Sequence, residues 1–214
     1  MALMVEVSAL WATLRDWCRI NAPATLAALH PPASDAELEA AQLRTGLMWP
    51  QSLVASLREH DGAEVWSGDV LLAFTPMGAA EIAEMWFEFT AFPWGGTEDP
   101  HAGLAGEVPS HPFSSGWLPV AQMEGAFYLL DLRPGPLHGC VLYWTSDGDG
   151  MSEEPLVSSY EELVRVSVLG ITDGLKGPEG MIASVVEGRV QWNWPEAFGA
   201  VTAEEQAVLD SRYR

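Results

Sequence analysis

The sequence predicts an α+β fold, and three observations predict it. Apolar residues recur at helical spacing, with capping residues in place, through residues 1–62. Short apolar segments between residues 117 and 145, joined by tight turns, read as an antiparallel meander. A serine-capped segment rich in leucine and valine follows from residue 160, so a helix closes the meander.

Val5, Leu10, Leu14 and Trp17 recur at three- to five-residue steps, with Trp11 on the flank. Pro23 interrupts this pattern, and a short second piece covers 24–29 before His30-Pro31-Pro32 ends it. Ser34 and Glu37 form a capping box, in which the serine hydroxyl accepts from the Glu37 amide and the Glu37 carboxylate reaches back. The helix they open runs to about Thr45 and is expected to bury Leu38, Ala41 and Leu43. Gly46 stands where the chain end needs φ > 0. Pro50 opens the next element, where its missing N–H costs nothing. Leu53, Val54 and Leu57 share one face of that helix, and Asp61-Gly62 stops it.

Residues 69–74 form an apolar run bounded by Gly68 and Pro76 and are expected to be a strand. Residues 78–92 are expected to be a helix that packs Ile82, Met85, Trp86 and Phe89 and exposes Glu81, Glu84 and Glu88. Residues 93–116 are rich in Gly, Pro, His and Ser and read as a long surface loop. Strands follow at 117–121, 126–132 and 139–145, then a polar acidic loop over 146–155. Ser158 or Ser159 caps a helix over 160–169, and a glycine-rich connection covers 170–180. Segments 181–186 and 189–194 flank Glu187-Gly188 as a hairpin, and Thr202 with Glu205 caps a short C-terminal helix. A chain of 214 residues with 48% hydrophobic content suits one domain over 1–214, with 170–214 as an extension.

Charge is the strongest compositional signal. The formal net charge is −20, from 30 carboxylates and 10 Lys or Arg. Residues 59–164 hold 18 of the carboxylates and one base, Arg133, which puts −17 there and leaves −3 elsewhere. Arg133 is expected to pair with Asp131 or Glu124. Phosphate backbones are bound by positive charge, so no nucleic-acid partner is expected. A surface this acidic attracts basic proteins and steers their approach, although acidity alone also serves solubility. No run of 18 apolar residues exists, so no membrane span is expected. The N-terminal segment carries Glu6, Arg15 and Asp16 and lacks the pattern of a secretory signal. Cys18 and Cys140 have no partner spacing and read as free buried thiols. Both features predict a cytoplasmic protein.

Enzymatic motifs are tested and mostly fail. No GxSxG, GxxxxGK[ST] or HExxH pattern occurs. Residues 170–176 have glycines and a lysine, but the spacing is short and Gly177 stands where Ser or Thr belongs. Asp147, Asp149, Glu153 and Glu154 resemble a calcium loop only loosely, because Met151 sits at a ligand position. His30, His60, His101, His111 and His138 include no i, i+4 pair; His101 and His111 share the long loop and are the one place for a metal or acid–base pair. No catalytic, cofactor or metal residue is assigned. Trp66 and Trp94 lie in glycine-containing turns and are candidate anchors for a protein partner, the alternative being that each caps the edge of the core. Asp69, Glu98, Asp99, Asp147, Asp149, Glu153 and Glu154 supply the acidic field around them and complete the candidate partner-binding set.

These segments, in this order, resemble the SUKH superfamily, the SMI/KNR-type cell-wall-assembly-regulator and immunity-protein domain. The resemblance is carried by Leu29-His30-Pro31-Pro32, by Ser34 to Leu38, by Gly46 to Pro50 and by Leu53 through His60-Asp61-Gly62. It continues in Trp117 to Val120, Gly125, Tyr128 to Asp131, Pro134-Gly135, Gly139 to Val141 and Tyr160 to Leu163. It covers about residues 29–169; Trp49 replaces the usual leucine before the proline, and the part after Gly170 has no counterpart. The resemblance implies a central antiparallel sheet flanked by helices. It implies a non-enzymatic binding protein, foremost an immunity protein that neutralises a cognate polymorphic toxin, which the acidity predicts to be basic. The alternative is a regulatory scaffold of the same family without a toxin partner. A small metal-dependent hydrolase using the loop histidines ranks third.

Overall fold

A computed structural model describes residues 2–66, 68–92, 104–106, 113–146 and 154–193. Helices α1 (Ala2–Asn21), α2 (Pro23–Ala28), α3 (Asp35–Thr45) and α4 (Gln51–Leu57) come first, then the short strand β1 (Thr75–Pro76) and helix α5 (Ala79–Ala91). Strands β2 (Trp117–Met123), β3 (Ala126–Asp131) and β4 (Val141–Thr145) precede helix α6 (Tyr160–Asp173) and the hairpin β5 (Ile182–Val186) and β6 (Arg189–Asn193). The expected α+β architecture is present: an antiparallel sheet in the order β1-β2-β3-β4, with helices packed against it and each other. The meander is local, with Ala126 opposite Thr145 and Trp117 opposite Asp131.

The α3–α4 signals act as their chemistry requires. Ser34 accepts from Glu37 N–H while the Glu37 carboxylate accepts from Ser34 N–H at 2.7 Å. Gly46 ends α3 at φ 65°, the left-handed conformation that glycine enters without a Cβ clash. Leu53 and Leu57 are buried and Val54 is half-buried. Cys18 and Cys140 are free and buried, and burial raises both thiols to about 11.

Four expectations are corrected. The buried stripe of α1 is Val7, Trp11, Leu14 and Cys18, so Trp11 is core and Leu10 and Trp17 are only half-buried. Leu43 does not join the core; it is 83% exposed. Residues 69–74 are not a strand. Leu71 and Phe74 exchange backbone hydrogen bonds at 3.1 and 3.0 Å around Leu72 and Ala73, whose φ values are 47° and 73°. The run is apolar because the turn is buried, with Tyr128 OH donating to Leu72 O at 3.0 Å, and an apolar run without a period fits a buried turn as well as a strand. The described parts of the expected surface loop are largely internal: Phe113 is buried against Phe89, Trp117 and Trp144, and Ala105 is buried beside the β3–β4 turn. The expected C-terminal helix at Thr202 lies outside the described residues.

The hairpin turns at Glu187-Gly188 as expected. Its Gly188 O accepts from Ala24 N–H at 3.0 Å, Val190 N–H donates to Thr25 Oγ1 at 2.8 Å, and Trp192 Nε1 donates to Asp69 O at 3.0 Å. Trp192 also explains why α6 runs four residues past the expected end. Gly170 lies inside that helix, and a Cβ there would stand 2.6 Å from the Trp192 ring. Glycine at this position serves close approach rather than termination, which Gly174 performs at φ 69°.

Helix propensity alone makes Gly170→Ala stabilising by up to about 1 kcal/mol. The Trp192 contact reverses the sign, and overpacking here is expected to cost roughly 1–3 kcal/mol. A urea midpoint that falls in the variant bears this out; a midpoint that rises refutes the packing role.

Candidate protein-binding surface

The surface rests on one turn, His60-Asp61-Gly62. Helix α5 begins after Gly78, which has no side chain to satisfy the first free N–H groups. Asp61 supplies the missing acceptor from a distant segment, with Ala79 N–H donating to Asp61 Oδ1 at 2.7 Å. Glu81 accepts from Gly78 N–H at 3.3 Å and is held in turn by the side-chain amide of Gln122 on β2. Glu81 is therefore half-buried rather than on a solvated face, and burial pushes its carboxyl up against those two hydrogen bonds. Gly62 at φ 82° lies so close to this helix start that a Cβ would be 2.5 Å from Gly78 N.

The two histidines around Asp61 brace the same turn. His30 N–H donates to Gly62 O at 3.0 Å, Asp61 N–H donates to Pro31 O at 2.9 Å, and His30 Nδ1 lies 3.1 Å from Asp61 O. His60 Nδ1 is 2.8 Å from His30 O, and its Nε2 is 3.4 Å from Arg15 Nη1. A carbonyl only accepts and a guanidinium only donates, so His60 is the neutral tautomer with its proton on Nδ1. Burial holds its pKa below the ordinary value; Arg15 adds to this, while the His30 carbonyl and Glu59 oppose it. Arg15 is tied to Glu59 at 2.7 Å. Among the described residues no group of three His, Cys, Asp or Glu is arranged to hold a metal ion.

Arg133, the single base of the acidic segment, pairs with Asp131 of the two acids expected. Its Nε and Nη2 reach Asp131 Oδ1 and Oδ2 at 3.0 and 2.7 Å, and both side chains are fully buried. The guanidinium lies 5.3 Å from the centre of the Trp117 ring. Gly106 N–H donates to Asp131 Oδ2 at 2.9 Å, so the same carboxylate anchors a piece of the 93–116 connection. The segment thus keeps its one cation inside.

The expected partner-binding residues separate. Trp66 is 51% exposed at φ 68°, beside exposed Glu64 and Val65. Asp69 is half-buried and accepts from Thr75 Oγ1 at 2.6 Å; burial raises its carboxyl while that hydroxyl opposes the shift. It braces the buried turn rather than standing in the field. Glu154 is exposed. Trp94, Glu98, Asp99, Asp147, Asp149 and Glu153 lie outside the described residues, as do His101 and His111.

The structure adds outward residues that sequence periodicity did not single out. On α5, Phe87 is 52% exposed between exposed Glu84 and Glu88. Arg44 of the neighbouring α3 lies 5.4 Å from the Phe87 ring centre. Leu43 lines the groove between α3 and α4, and Met48, in the turn between these helices, is 89% exposed. The one available signal was the width of the stripe: α3 carries more apolar residues than one buried face accommodates.

The model of the SMI1/KNR4 family (SUKH-1) matches residues 32–165, which is 134 of the 214 residues. Helices α1 and α2 and the β5–β6 hairpin fall outside the match. No curated protein matches the chain significantly.

Because the folded His60 has the lower pKa, the unfolded chain takes up that proton first, and the contribution of His60 to stability is lost as pH falls below about 6.5. The stability gap between wild type and His60→Gln, measured by urea unfolding, is expected to be larger at pH 7.5 than at pH 5.5. Asp69 and Glu81 titrate alike in both proteins and cancel in the difference. A gap independent of pH would show that His60 braces the turn without its titration mattering.

Proposed function

The chain belongs to the SMI1/KNR4 family (SUKH-1), and from that membership we propose that it is an immunity protein that binds and neutralises a cognate basic toxin. The family in general supports a non-enzymatic immunity or regulatory domain. One observation carries the finer reading. Residues 59–164 hold 18 carboxylates, and their single base is withdrawn into the core with Asp131, while Arg15 and Arg165 from outside the segment pair with Glu59 and Glu162. Glu64, Glu84, Glu88 and Glu154 are exposed and make no ion pair among the described residues. Such a field raises the encounter rate with a basic partner and disfavours acidic ones. Exposed aromatic side chains beside those acids, Trp66 next to Glu64 and Phe87 next to Glu84 and Glu88, supply the apolar anchors that hold a complex once formed. No helix among the described residues is long and apolar enough to cross a membrane.

Where a toxin is encoded beside this gene, co-expression of the chain with it is expected to restore growth. Binding measured by stopped flow is expected to slow by at least about tenfold between 50 and 500 mM salt, because steering is screened. Equal killing with and without the chain rejects the immunity reading.

A further inference from the structure

The groove between α3 and α4 has a polarity of its own. It is lined by Asp35, Leu38, Glu39, Val54 and Arg58, with Leu43 at one end, and has a volume of about 470 Å³. Leu43, which is 83% exposed, and half-buried Val54 both line it. At the other end Arg58 spends both Nε and Nη2 on the same oxygen, Asp35 Oδ1, at 3.1 and 2.7 Å. Asp35 Oδ2 is left without a hydrogen bond, and Glu39 makes no ion pair among the described residues.

We propose that this groove docks an amphipathic helix of a basic protein partner, with one bulky apolar residue seated at Leu43 and Val54 and cationic residues on Glu39 and Asp35. Spacing supports a helix as the occupant. Leu43 and Glu39 are four residues apart and Leu43 and Asp35 eight, or about 6 and 12 Å along α3 at 1.5 Å per residue. A helix with an apolar anchor and Lys or Arg about one and two turns away matches both distances, the pattern by which helices are read in grooves. Charge complementarity selects a basic helix: the one cation in the groove is already engaged, and the chain carries −20 overall. Leucine at position 43 meets none of the needs of α3 itself, since its capping box and buried Leu38 and Ala41 already fix that helix.

The inference rests on the protein-binding reading, and its test does not depend on any toxin. The probe is a fluorescein-labelled 18-residue helical peptide of leucine and lysine, compared by anisotropy at 0.15 M salt with a scrambled peptide of equal composition that lacks helical spacing. Leu43→Asn and Glu39→Gln are both surface changes, and each is expected to weaken binding of the patterned peptide by roughly tenfold, the loss typical of an anchor residue. Glu187→Gln removes the same charge at the exposed β5–β6 turn and is expected to leave binding within twofold. Equal loss in Glu39→Gln and Glu187→Gln, or equal binding of the scrambled peptide, shows bulk charge alone and overturns the proposal. A wild-type dimer abolished by Leu43→Asn assigns the groove to a second copy and also overturns it. A Leu43→Asn chain that protects cells as well as wild type removes the groove and leaves the immunity reading standing.

Discussion

The carboxylate of Asp61 at the start of α5 is the constraint on which the arrangement depends. A helix that begins after glycine has free N–H groups and no side chain at the cap position itself to meet them. Taking the acceptor from the end of α4 ties the helical layer to the helix that lies on the sheet. A cap of this kind contributes about 1 kcal/mol, which is modest, but its geometric consequences are larger. It brings Gly62 and Gly78 into backbone contact, places His60 against Arg15 of α1, and brings Glu81 to Gln122 of β2. Four elements are thereby set relative to one another by a three-residue turn.

The buried Asp131–Arg133 pair acts at the opposite end of the sheet by a different logic. Desolvating two charges offsets most of their attraction, so the pair is no source of large net stability. Its effect lies in what it aims and what it hides. Asp131 satisfies the Arg133 side chain, its own local turn and Gly106 N–H, so β3, the β3–β4 turn and a piece of the long connection meet at one carboxylate. Hiding the guanidinium also removes the one positive charge from an otherwise acidic segment. Asp131 is hidden with it, so burying the pair leaves the net charge of the segment unchanged and clears its surface of its own cation.

The acids divide by the same principle. Asp61, Asp69, Glu81 and Asp131 each accept a hydrogen bond that the fold needs, and they are half-buried or buried. Glu39, Glu84, Glu88 and Glu154 face solvent and make no ion pair among the described residues. A count of carboxylates overstates the acid on the surface, because Asp61, Asp69, Glu81 and Asp131 are spent inside the fold. For a family whose members in general act by binding, this division separates scaffold from surface.

Local chemistry in the sequence was sufficient for the elements whose cause is local. The Ser34–Glu37 box, the left-handed Gly46, the Ser159 cap and the Glu187-Gly188 turn each need only neighbours within a few residues, and each is where the sequence places it. The acidity of residues 59–164 and the free thiols were equally plain. Tertiary structure alone decided the rest, because the deciding atoms come from far along the chain. Trp192 makes Gly170 a helix residue, Tyr128 makes 69–74 a buried turn, Thr75 turns Asp69 inward, and the packing of α3 on α5 leaves Leu43 outside. Periodicity says that one face is apolar; only the packed neighbours say which apolar residue is left in solvent.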